Sequence, residues 1–204
     1  MLRFINCFRP IASSTVISTV IVMLLSITPA ISMAASENDS VAFEHSYISC
    51  SIITSEHLTT LQLYQRGLPL DVALESLPNI SRSAKKRVKY IYDMAKKYGI
   101  LNTYADINTN YARCSTLVYQ QRGKPAIDRL AHGYYYCAGE NRIRFDMILN
   151  IDQKWSLEKL LQSVTDKHKS IARNYFQLIE SKGILAAFDL TANNLKSCLK
   201  QLNE

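Results

Sequence analysis

The residues of this chain best equipped for chemistry are five cysteines and four histidines. Cys50, Cys114, Cys137 and Cys198 stand far apart, and no Cys-x-x-Cys spacing occurs. This argues against a redox-active pair or a cysteine metal knuckle and favours structural disulfides. His45 and His132 hold matching places, each five residues before a cysteine. A metal or acid–base role would need carboxylates at ligand spacing, and none is near; packing beside a disulfide explains both equally well. His57 and His168 have no partner at a recognised spacing. There is no Gly-x-Ser-x-Gly turn, phosphate loop, dinucleotide fingerprint, His-Glu-x-x-His pair or calcium loop. No catalytic residue, metal ligand or cofactor is assigned.

The cysteines belong to a longer self-similar frame. His45, Tyr47 and Cys50 recur 87 places later as His132, Tyr134 and Cys137. Gly99-Ile100-Leu101 and Cys114 recur 84 places later as Gly183-Ile184-Leu185 and Cys198. A period this long predicts two copies of one structural unit. Four cysteines allow three pairings; the repeat favours Cys50–Cys114 and Cys137–Cys198, since each copy then closes on itself.

Helices must position these groups, because apolar residues recur at helical spacing and strand-like alternation is absent from most of the chain. Leu58, Leu61 and Tyr64 share a face that stops at Gly67, and Leu70, Ala73, Leu74 and Leu77 resume after Pro69. Val88, Ile91, Tyr92 and Ala95 form the stripe of a third helix after Pro78, ended by Gly99. A fourth, from about Thr103 to Tyr119, carries Cys114. Met147, Ile148 and Ile151, then Leu157, Leu160, Leu161 and Val164, then Ala172, Tyr175, Phe176 and Ile179 repeat the plan up to Gly183. Leu190, Leu195, Cys198 and Leu202 mark the last helix. The expected fold is all-α: two fused, duplicated four-helix units at 45–118 and 132–204, each closed by a disulfide, with a linker at 119–131.

The first residues read as an address. Arg3 and Arg9 precede the apolar run Val16–Ile27, Pro29 breaks it, and Ser32-Met33-Ala34 suits a signal peptidase. Cleavage after Ala34 would remove Cys7, leave four cysteines and expose a polar leader at 35–44. It would also lower the net charge from +7 to +5, since residues 1–34 contain no acid. The expected location is the periplasm or the outside of the cell, with no stable membrane span after cleavage. The basic residues read as spread over several segments without any nucleic-acid-binding pattern, so nucleic acid is not expected as a partner.

Surface chemistry then points to protein recognition. The chain has twelve tyrosines and one tryptophan. Tyr134, Tyr135 and Tyr136 are consecutive, so a helix cannot bury all three, and exposed tyrosine is a common interface residue. Lys85, Lys86 and Lys89, echoed by Lys167 and Arg173, could face an acidic partner.

Cys50, Tyr64-Gln65-Arg66-Gly67, Pro69-Leu70, Ile91-Tyr92 and Tyr111-x-x-Cys114 together resemble small exported helical proteins of Gram-negative bacteria, mostly of unassigned activity. In the second unit, Trp155 stands for the glycine and no proline follows. More distantly, the plan is similar to the disulfide-bonded periplasmic immunity proteins that neutralise type VI secretion effectors. That resemblance implies a non-catalytic binding protein, an inhibitor of or immunity protein to an envelope-targeting effector. The alternatives are an envelope polymer hydrolase or a carrier of an apolar ligand.

Overall fold

The computed structural model describes residues 45–76 and 80–202. The expected signal peptide (1–34), the leader at 35–44 and the turn at Leu77 and Pro78 lie outside them. Helix α1 (Tyr47–Gln65) starts where Ser46 and Ser49 cap each other, each side chain accepting the other's backbone N–H. After Pro69 comes the short α2 (Leu70–Glu75). Ser81 then caps α3 (Arg82–Tyr98) by accepting the Ala84 amide. Gly99, at φ 83°, ends α3 and is also the residue from which α4 (Ile100–Arg122) departs.

After the non-helical stretch 123–129, which falls inside the expected linker, α5 runs from Leu130 to Asp152. Ser156 caps α6 (Leu157–Ser163), and a single 3-10 turn (Asp166–His168) leads into α7 (Lys169–Lys182). Gly183, again at φ 83°, joins α7 to α8 (Ile184–Gln201). Every element among the described residues is helical.

Cys50–Cys114 pins α1 to α4 and Cys137–Cys198 pins α5 to α8, with Cα–Cα distances of 5.9 Å in both. These four helices also pack across the molecule, α1 on α5 and α8, and α4 on α5. Helix α3 lies on α1 and α4, while α7 lies on α5 and α8. The apolar interior is therefore continuous through both halves. Leu58, Leu61, Tyr104, Ile148 and Phe188 are all buried within one cluster, and a smaller cluster of Ala73, Val88 and Tyr92 sits under α2. No helix among the described residues is long and apolar enough to cross a membrane.

One turn differs from its sequence reading. Gly67 (φ 79°) ends α1 with its amide on the Tyr64 carbonyl and the Leu68 amide on the Leu63 carbonyl. At the end of α5 the same two bonds run from Lys154 to Ile151 and from Trp155 to Asn150. The residue in the glycine's place is thus Lys154, at φ 64°, and Trp155 follows it. A side chain in the left-handed region is strained by its Cβ. Lys154→Gly should therefore stabilise the protein by about 1 kcal/mol, read as a rise of about 3 °C in melting temperature. A lower melting temperature would show that the stack of Lys159 on the Trp155 ring (3.9 Å) depends on the lysine.

Candidate functional site

The outer face of α5 brings together most of the surface chemistry. Tyr134, Cys137, Ala138, Asn141, Phe145 and Ile148 turn inward at helical spacing. Successive residues step about 100° round the helix, so the three tyrosines diverge. Tyr134 is buried at 4% exposure, Tyr135 is half-buried and Tyr136 is 52% exposed. The Tyr135 ring meets Tyr47 of α1 edge-on at 5.3 Å and stacks on Tyr119 of α4 at 6.2 Å. Lys167 lies 5.8 Å over the Tyr136 ring.

A groove of about 280 Å³ opens between α4 and α5. Tyr119, Tyr135, Ser115, Thr116, Gly139 and Arg142 line it, and Arg142 donates a weak bond to the Thr116 hydroxyl (3.4 Å). Tyr47 donates to the Gly123 carbonyl. Burial, and the nearby Tyr135 and Tyr119 phenols, raise its pKa. The groove therefore offers aromatic faces, hydroxyls and one guanidinium. On the other flank of α5 a hollow of about 430 Å³ is lined by Ile143, Asp146, Asn150, Val164 and Lys167.

Glu140 sits on the same helix and is fully engaged. It accepts from His168 (3.0 Å), Arg144 (2.9 Å) and Lys167 (3.2 Å). Burial alone would raise its carboxyl, but these hydrogen bonds outweigh that and hold it at about 2. A carboxylate this acidic is a poor proton donor or acceptor at neutral pH. Its role is to tie the 3-10 turn to α5 and to pair with Arg144 on its own helix. Because the folded pKa lies below the unfolded value near 4.5, the stabilisation is complete above that value and is lost as pH falls through about 2. After discounting for solvent screening this amounts to about 2 kcal/mol. Denaturant titrations should show the wild type losing that much more than Glu140→Gln between about pH 5 and pH 2. Parallel pH slopes would remove Glu140 from the account.

The other polar groups are similarly committed. Asp189 of α8 accepts from Tyr104 (2.5 Å), Gln65 (2.8 Å) and Gln62 (3.2 Å), and Lys196 donates to Gln62. Burial, then the Asp189 carboxylate, push the Tyr104 phenol far above its ordinary value, so it remains a donor. Burial lowers the pKa of His57. His45 Nδ1 lies 3.8 Å from the Cys114 sulfur, and His132 packs beside the Tyr135 ring. Among the described residues no three His, Cys, Asp or Glu side chains could jointly hold a metal ion.

Of the residues singled out in the sequence, Tyr135, Tyr136 and Lys167 meet on or beside α5. Tyr134 belongs to the core. Arg173 lines a separate hollow against α6, and Lys85, Lys86 and Lys89 are exposed on α3. Gly139 and Arg142 escaped the sequence reading, and Tyr47 entered it only as part of the repeat frame. Glu140 and Arg144 also escaped it, although their i, i+4 spacing is a local signal that could have found the pair. The chain matches no protein-family model, no curated protein and no solved structure, so its functional reading stands on this geometry.

Proposed function

We propose that this is an exported, disulfide-bonded protein-binding module, an inhibitor of or immunity protein to an envelope-targeting effector, that contacts its partner through the outer face of α5. The observation that carries the reading is the pairing of exposed or half-exposed tyrosines with open hollows on both flanks of one rigid helix. Aromatic anchors beside pockets are how most binding energy is concentrated at protein interfaces. Glu140 and Asp189, both held by several donors, favour a structural use of the carboxylates over a hydrolytic one.

We also propose that the fold is two copies of one four-helix unit. Several correspondences support this. The helix stops at Gly67 and Lys154 share their bonds 87 residues apart. Gly99 and Gly183 share their φ 84 residues apart. Tyr104 and Phe188, also 84 apart, stack on each other at 5.4 Å. Two disulfides, together with the basic-then-apolar N-terminus, support export to the periplasm or beyond.

The test is affinity capture by the oxidised protein from envelope extracts, in parallel with Gly139→Trp. A Cβ at Gly139 meets nothing within 4 Å, so the indole will fill the groove without disturbing the helix. One protein recovered near one-to-one, and lost with the variant, is the expected result. Equal recovery by both would move the interface elsewhere, and an empty capture would sink the binding reading.

A further inference from the structure

The excess positive charge of this protein is gathered on one helix. Residues 35–204 hold 22 Lys and Arg against 17 Asp and Glu. Helix α3 alone holds seven against one, so everything else in that range is one charge negative. Val88, Ile91, Tyr92 and Ala95 turn α3's apolar stripe into the protein. The opposite arc presents Arg82, Lys85, Lys86, Lys89, Lys96 and Lys97, all exposed and, among the described residues, none within ion-pair distance of a carboxylate. Only Asp93 interrupts them. At 1.5 Å per residue the array is about 22 Å long.

This array is held rigidly. Arg87, the seventh cation, forms a two-point ion pair with Glu56 of α1 (2.9 and 2.7 Å), and the Tyr92 hydroxyl donates to the Leu68 carbonyl. Two aromatic rings stand out on the same helix, Tyr90 at 50% and Tyr98 at 47% exposure, with exposed Leu101 just beyond. Neither the α4/α5 groove nor the hollow beside α6 reaches α3.

From these features we infer that the outer face of α3 docks on the surface of an anionic phospholipid bilayer, as a peripheral contact without insertion of a helix. A straight row of long, flexible ammonium groups needs no shaped partner; each can find a phosphate in a fluid plane of headgroups, and the attractions add. Tyr90 midway along the array and Tyr98 at its end suit the headgroup level, where an apolar ring with a polar tip is favoured. A folded acidic protein would be expected to meet a pocket in such a face, and none of the hollows described above opens on α3. This contact is independent of the α5 interface, which it leaves uncovered on a different helix.

The test is co-sedimentation of the full oxidised chain with vesicles of phosphatidylcholine alone and of phosphatidylcholine mixed with phosphatidylglycerol. The wild type should bind the anionic vesicles more tightly, and this preference should fall as salt is raised. Each lysine near a charged surface contributes about fivefold in affinity, so K85Q/K86Q/K89Q should weaken the anionic preference about a hundredfold. The control K124Q/K159Q/K182Q changes net charge equally on other elements and should weaken it by far less. Binding to phosphatidylcholine alone measures any contribution of the apolar N-terminus and is common to all three proteins. Equal loss in both triple variants, or no loss in the α3 variant, would overturn the inference. So would tight binding to soluble polyglutamate with no preference for anionic vesicles, which would assign the face to an acidic protein.

Discussion

Serine in place of both Cys137 and Cys198 will destabilise the oxidised protein by about 4 kcal/mol. The bridge closes a loop of 61 residues, and in the chain-entropy account the gain comes from what the loop forbids the unfolded chain to do. The Cys50–Cys114 loop, of 64 residues, should be worth the same within error, since loop entropy grows only logarithmically with length. Removing both bridges would cost about 8 kcal/mol, more than many domains of this size possess. The four-serine chain should then be largely unfolded at 25 °C, while each two-serine chain stays folded. Denaturant unfolding followed by circular dichroism separates these cases, with thiol titration confirming the redox state. A loss under about 1 kcal/mol for either pair would mean that the unfolded chain is already constrained by residual structure.

Phe188→Ala is the second large effect, again about 4 kcal/mol. The ring is 2% exposed, stacks on Tyr104 of α4 and tilts against Phe145 of α5 at 6.2 Å. It thus fills space shared by three helices from both halves, and little around it can move in to close the void. Phe188→Leu should recover most of the loss, because it refills most of the void and forfeits the remaining volume and the ring stacking. Tyr90→Ala, on the open side of α3, should cost almost nothing. If Phe188→Ala instead melted only the second half, in a separate transition, the common core described above would be wrong.

How much of this could be read from the chain depended on whether a residue type announces its job. Gly67, Gly99 and Gly183 mark helix ends because the left-handed turn there admits few other residues, and the repeated cysteine frame favoured the pairing that the structure has. Lys154 does the same work as Gly67 but carries no sign of it, so the turn was placed one residue late. His168 lies 28 residues from Glu140, and no local spacing could join them. The tyrosine cluster comes from α1, α4 and α5, and only its α5 part was legible as a run. The basic residues read as dispersed because Lys167 and Lys169 echo those of α3. In the fold Lys167 pairs with Glu140 at 3.2 Å and Lys169 with Asp166 at 2.7 Å, whereas the α3 lysines pair with no carboxylate among the described residues.

The placement of the two disulfides has a consequence for the lifetime of the protein. Each bridge closes within its own half, and only the backbone of 123–129 crosses between them. That stretch is open to solvent, with Ile127 at 85% exposure. A protease cutting there would release no peptide from either half and reduce no bond. The product would be two cross-linked fragments held by the shared core of α1, α4, α5 and α8, with the Tyr104–Phe188 stack within it, a nicked heterodimer whose survival depends on dilution, as the intact chain's does not.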